Sequence, residues 1–216
     1  MKKLMCVLIV IFSFFAISNL VSAKESLLIT GKIALNNNVQ PINQLVMKVP
    51  VGKVHLRVAE GDTITYRVEV KEDTSGWSLL KSDLDEISIS ENVSAQTAFL
   101  EIDEDDIKQE WTLIVPPEVA LNFDVGVGNI NLDSISQSLK ADIGVGSAWV
   151  SVNAADYEHV SAGVGVGEIQ VSGFEQSQMT QERAVTSAQL EYKGAGSNTI
   201  DIEIGVGDVN LSRQML

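Results

Sequence analysis

Apolar and polar residues alternate along most of the chain, and the alternation slips by one position at recurring glycines. In Leu121 to Leu132, LNFDVGVGNINL, the apolar positions before Gly128 are Leu121, Phe123, Val125 and Val127, and those after it are Ile130 and Leu132. Successive strand residues point to opposite faces, so a slip of one turns an apolar set outward unless the backbone bends there. Gly128-Asn129 is therefore expected to be a corner between two strands that face the same core. The same slip recurs around Gly146, Gly167 and Gly207, and more faintly around Gly52. The residue after each corner is Lys53, Asn129, Ser147, Glu168 or Asp208, polar in every copy, as an outward corner position should be.

The corner glycines are spaced by 18 residues from Gly128 to Gly146, by 21 to Gly167 and by 40 to Gly207. A period of about twenty predicts an all-β, single-domain β-solenoid of stacked coils. Each coil buries its apolar row only against its neighbours. The double-length gap predicts a coil without its glycine, with Val185 to Tyr192 as its strand and the polar interval Gly173 to Arg183 as a loop projecting before it. Leu27 to Ile33 reads as a leading strand, Thr63 to Lys71 as a half-buried strand. The 76 residues from Gly52 to Gly128 approximate four coils of nineteen, but the corner motif is missing and an antiparallel meander fits nearly as well.

The first residues change the picture of where this domain works. Lys2 and Lys3 precede an apolar run from Leu4 to Ile17 and the small-x-small step Val21-Ser22-Ala23, which together predict a secretory signal peptide over residues 1–23. The run is shorter than the roughly 20 residues that cross a bilayer, so no transmembrane span is expected after cleavage. The domain is then 24–216, most regular over 113–216. Its expected location is the periplasm or the exterior of a bacterial cell. The only cysteine, Cys6, leaves with the signal, so core burial alone must hold the fold.

Charge narrows the partners. The chain carries 29 acidic and 15 basic residues, a net charge of −14, which becomes −16 when Lys2 and Lys3 are removed. Nucleic acid and anionic lipid are repelled by such a surface. The densest acidic run, Glu101 to Asp106, lacks the alternating aspartates and internal glycine of a helix-loop-helix calcium loop and is expected to be a solvated turn.

Little in the chain suits catalysis or a cofactor. The Gly-x-Gly steps supply no third glycine and open no helix, so they do not match a dinucleotide fingerprint, and no Gly-Gly-x-Gly-x-Asp calcium repeat is present. Outward pairs such as Asn129 and Asn131, or Ser147 and Trp149, form no Thr-x-Thr ladder. His55 and His159 fall on outward faces and are too few for a multi-histidine metal site. Asp156, His159 and Ser161 are neighbours in sequence, which is weak ground for a triad. No catalytic, cofactor or metal residues are assigned. Trp149 stands out because its parity points it away from the core in a polar row, where it can stack on a sugar or a partner surface.

The block Leu113 to Leu132, LIVPPEVALNFDVGVGNINL, with its further copies to Leu211, resembles the bacterial putative adhesin family, the toastrack or adhesin-like β-solenoid family. The likeness covers Leu113 to Leu216 and, more faintly, Leu45 to Val70. It implies a non-catalytic exported domain that binds at the cell envelope, with an undefined glycan, lipid or protein as ligand. No site residues carry over, because the matched positions are glycines and core aliphatics. Two alternatives stand beside this expectation. One is a carbohydrate-active enzyme using carboxylates such as Glu168 and Asp208 on one face. The other is a structural envelope protein that forms homo-oligomers through its C-terminal coil, where little sequence follows Leu211 to cap it.

Overall fold

The computed structural model describes residues 26–36, 40–72, 84, 86–104, 106–153 and 157–214. The expected signal peptide, with Cys6, lies outside them, as does Asp156. The described chain is all-β, with one turn of 3-10 helix at Gln176–Gln178. Its strands are β1 (Leu27–Ala34), β2 (Gln44–Val58), β3 (Thr63–Glu72), β4 (Ser90–Ser94), β5 (Thr97–Glu101), β6 (Ile107–Val115) and β7 (Ala120–Ile135). They continue as β8 (Leu139–Val152), β9 (His159–Val166), β10 (Ile169–Ser172), β11 (Met179–Arg183), β12 (Ala188–Lys193) and β13 (Thr199–Arg213). No described helix is long and apolar enough to cross a membrane.

Four long strands organise the sheet. β2, β7, β8 and β13 run parallel and in register, with Gly52 opposite Gly128, Gly128 opposite Gly146 and Gly146 opposite Gly207. Each passes through the aligned corner and contributes to two arms of one continuous sheet. In the first arm, β4 and β5 extend it beyond β2, while β9, β12 and β11 extend it beyond β13. In the second arm, β6, β3 and β1 lie beyond β2, and β10 lies beyond β13.

The change of phase in the sequence is the change of arm. Leu121, Phe123 and Val125 are buried before the corner, and Ile130 and Leu132 after it, all in one core cluster. The same holds for Leu139, Ala141 and Ile143 with Ala148, Val150 and Val152. A buried side chain of this size contributes roughly 1.5–3 kcal/mol, which offsets the cost of ordering the strand that carries it.

Gly146 shows why the corner needs glycine. Its φ is +150°, and an added Cβ would sit 1.6 Å from the carbonyl oxygen of Gly128 in the neighbouring strand. Gly128, Gly167 and Gly207 share the positive φ. Gly52 differs: its φ is not positive, and what excludes a side chain there is the Gln109 carbonyl oxygen, 2.1 Å from a would-be Cβ. The side chain after the corner ties copies together. Asn129 Oδ1 accepts a hydrogen bond from the Ser147 N–H at 3.0 Å, and Asp208 Oδ1 accepts one from the Glu168 N–H at 2.9 Å.

Three expectations are corrected. The copies do not stack in chain order, because β13 lies between β8 and β9, and the row of corner glycines runs 52, 128, 146, 207, 167. The long gap before Gly207 holds no additional parallel coil: Met179–Arg183 and Ala188–Lys193 form a hairpin whose second strand pairs antiparallel with β9. The valine just before each corner is not inward. Val127, Val145, Val206 and Val166 are each about half exposed, at 51%, 48%, 47% and 50%, because the bend leaves the apex residue outside both arms. Between Gly52 and Gly128 the pairing is mixed: β3 pairs β6 and β4 pairs β5 antiparallel, while β5 and β6 each pair parallel with β2, so the segment is neither four stacked coils nor a plain antiparallel meander.

One tyrosine gives the fold a pH dependence. The Tyr66 hydroxyl donates to Glu91 Oε2 at 2.6 Å, and burial followed by that bond pushes the phenol from about 10 up to about 12. The fold therefore favours the protonated phenol. This contribution is fully present below pH about 10 and is lost as pH rises from there towards about 12. Urea unfolding at rising alkaline pH should show a loss of stability that Tyr66→Phe diminishes. An identical alkaline slope in the variant would contradict it.

Candidate functional site

The outward side of the second arm is built from the residues that alternate with the buried ones. One row across it reads His55, Asn131, Trp149, Asn210 and Gln170, each in register with the next on β2, β7, β8, β13 and β10. Strand pairing fixes these side chains at intervals of about 4.8 Å. Trp149, 44% exposed, stands at the centre between two carboxamides. Backbone on both sides of β8 is hydrogen-bonded along its length, so the indole rides on a rigid support.

Shallow depressions flank the indole. One, of about 370 Å³, is bordered by Lys53, His55, Asn129 and Asn131. The other, of about 320 Å³, runs from Asn131 and Trp149 past Asn210 to Gln170, with Ser151, Ser172 and Ser212 along its side. Its lining contains no charged residue.

The outward side of the first arm is different. Asp124, Asp142 and Glu203 form one in-register row, with Asp201 on the adjoining row of β13. Burial, then the neighbouring charges of Asp201, Asp142 and Glu191, push the Glu203 carboxyl above its usual range. Among the described residues, no three His, Cys, Asp or Glu side chains converge as a metal site.

The other sequence candidates fall into place around this. The five glycines, Gly52, Gly128, Gly146, Gly167 and Gly207, lie in one row and shape the corner beside the Trp149 face. Glu168 and Asp208 are brought together, but each has a partner: Asp208 accepts the Glu168 N–H, and the Glu168 carboxylate pairs with Arg183. His159 and Ser161 both turn to Glu191, at 3.0 and 3.3 Å. His55 joins the Trp149 row, which parity alone had placed only on the outside. Asn210 was not recognisable as a neighbour of Trp149. Stacking in chain order would have put Gln170 there, and no local signal reveals that β13 inserts between β8 and β9. The half-exposed valine row was legible in principle, since every copy repeats it beside the glycine that makes the bend.

Taken together, this is an all-β chain with a corner-folded mixed sheet, parallel at its centre and antiparallel towards its edges, and an aromatic-amide face on one arm. Among solved structures it is similar to a putative cell adhesion protein from Clostridium sporogenes, at 15% identity and a TM-score of 0.48, over 88% of this chain and 100% of that one. It is also similar to a putative adhesin from Bacteroides fragilis, at 14% identity and a TM-score of 0.34, over 85% and 96%. A putative adhesin from Parabacteroides merdae matches at 9% identity and a TM-score of 0.21, over 87% and 96%. No family model and no curated protein matches the chain.

Proposed function

We propose that the protein is an exported, non-catalytic cell-envelope module of the adhesin-like type, a short solenoid-like stack that binds through the outward side of its second arm. The observation that carries this reading is Trp149: a large aromatic side chain held in the open, between Asn131 and Asn210, on a support paired on both sides. Exposing an indole forgoes the burial that stabilises a fold, and its amphipathic ring is the side chain most used to anchor a partner. The signal-like residues 1–23 supply the export expectation.

Against the enzymatic alternative, Asp208 accepts the Glu168 N–H at the corner and the Glu168 carboxylate pairs with Arg183, so both carboxylates have structural contacts. Self-association through the C-terminal copy loses its premise as well. β13 is covered by β8 on one side and by β9 and β10 on the other, so it offers no open edge.

The test is retention of the purified protein on native envelope material. Trp149→Ala should leave stability within about 0.5 kcal/mol of the parent and lower retention at least about 10-fold, the equivalent of about 1.4 kcal/mol. Retention equal to the parent would refute the reading. Turnover of an envelope glycan that disappears in Glu168→Gln or Asp208→Asn would establish the enzyme instead.

A further inference from the structure

We infer that the groove running from Trp149 to Gln170 binds an uncharged glycan, with one sugar ring stacked on the Trp149 indole and the next lying over Asn210 towards Gln170. This inference rests on the reading of the Trp149 face as the binding surface, and adds the chemical class of the ligand.

The lining carries the argument. In a chain with 29 acidic and 15 basic residues, this groove has none of either, while the facing rows of the other arm hold Asp124, Asp142, Asp201 and Glu203. Besides Trp149 and the aliphatic Val150, Val171 and Leu211, it offers only amide and hydroxyl groups: Asn131, Asn210, Gln170, Ser151, Ser172 and Ser212. Each of these groups both donates and accepts hydrogen bonds, as a sugar hydroxyl does. A ligand with a net charge would exchange water for a site without a counter-ion, which costs free energy unless the charge is paired. The net charge of −14 adds general repulsion of anions.

The dimensions agree. Trp149, Asn210 and Gln170 are on adjacent strands, so the two steps between them span about 10 Å, the length of two linked pyranose rings. The indole supplies the apolar platform that the carbon face of a sugar ring needs, and the amides beside it reach the equatorial hydroxyls. A lipid surface or a hydrophobic protein partner would call for a contiguous apolar patch. This face presents one large apolar side chain in a polar surround, and the half-exposed valines belong to the corner beside it.

The experiment titrates the purified protein with neutral oligosaccharides of glucose, mannose and N-acetylglucosamine, and with their uronate or sulfated counterparts on the same backbones. Binding is followed by calorimetry and by protection of Trp149 fluorescence from quenching, with Trp149→Phe used to subtract the other tryptophans. The expected result is saturable binding of at least one neutral member, at least 10-fold weaker binding of its charged counterpart, and an affinity unmoved by salt. Trp149→Ala should raise the Kd at least 10-fold, and Trp149→Phe by less. Preference for the charged members, salt-sensitive binding, or no binding by any neutral member would overturn the inference. If neutral glycans fail while envelope retention still depends on Trp149, the ligand class falls and the binding face stands. If neither depends on Trp149, both fall.

Discussion

Gly146→Val should destabilise the protein by at least about 3 kcal/mol, among the largest effects of any single substitution. Two costs combine. The glycine sits at a φ of +150°, which a β-branched residue rarely adopts, and its Cβ would fall 1.6 Å from the Gly128 carbonyl oxygen. That oxygen belongs to the backbone of a paired strand, so relief requires the sheet to open where β7, β8 and β13 are in register. Gly61, with nothing within 4 Å of a would-be Cβ, is the control, and Gly61→Ala should change stability by no more than about 0.5 kcal/mol. Urea unfolding of both variants checks the pair, and a Gly146→Val protein as stable as the parent would remove the corner from the account.

The second large effect is expected at the other end of the sheet. Trp111 is fully buried, its ring tilted against Tyr66 at a centroid distance of 6.1 Å. Its indole N–H donates to Gln109 Oε1 at 2.9 Å, and Gln109 Nε2 donates to the Ile102 carbonyl at 3.0 Å. Trp111→Ala should cost about 3–5 kcal/mol for the lost burial and the cavity. It also strands the Gln109 carbonyl oxygen, since that side chain is 1% exposed. Gln109→Leu alone should destabilise although it makes the core more apolar, because it leaves the indole N–H without an acceptor. A double-mutant cycle measures the coupling, and additive effects of the two substitutions would show that the bond contributes nothing. Trp149→Ala, by contrast, should leave stability within about 0.5 kcal/mol of the parent.

The two tryptophans show what alternation makes legible. Alternation puts Trp111 in one row with Leu113 and Val115, which is buried, and Trp149 in an outward row, and it assigned the buried rows Leu121, Phe123, Val125 and Ile130, Leu132 on the two sides of Gly128. Those assignments are local, set by the period of two and by one glycine, and a sequence carries them. Which strand lies beside which is set by long-range pairing. β13 lies between β8 and β9 because its Ile200, Ile202 and Ile204 row matches Leu139, Ala141 and Ile143 on one side and Val160, Ala162 and Val164 on the other. Several aliphatic rows in this chain would satisfy the same pattern, so sequence order alone chose the wrong neighbour. The valines at the bend were misassigned for a related reason. Val127 has inward parity by counting from Val125, but the arm ends there, and beneath the apex there is no core to face.

The candidate face was legible in part. Trp149 and Asn131 were outward by parity, whereas the row that joins them to His55, Asn210 and Gln170 exists only once the parallel register is known. The uncharged groove is likewise a property of the assembled arm, since residues from β7, β8, β10 and β13 border it.

Hydroxyl-radical footprinting on native envelope material tests the central claim most directly, because two aromatic side chains of similar exposure lie on opposite arms. Trp149 is 44% exposed on the second arm and Phe99, on β5, is 39% exposed on the first. The account predicts that envelope binding lowers oxidation of Trp149 several-fold and leaves Phe99 unchanged. Protection of Phe99 with Trp149 still fully reactive would contradict it and transfer the binding surface to the first arm.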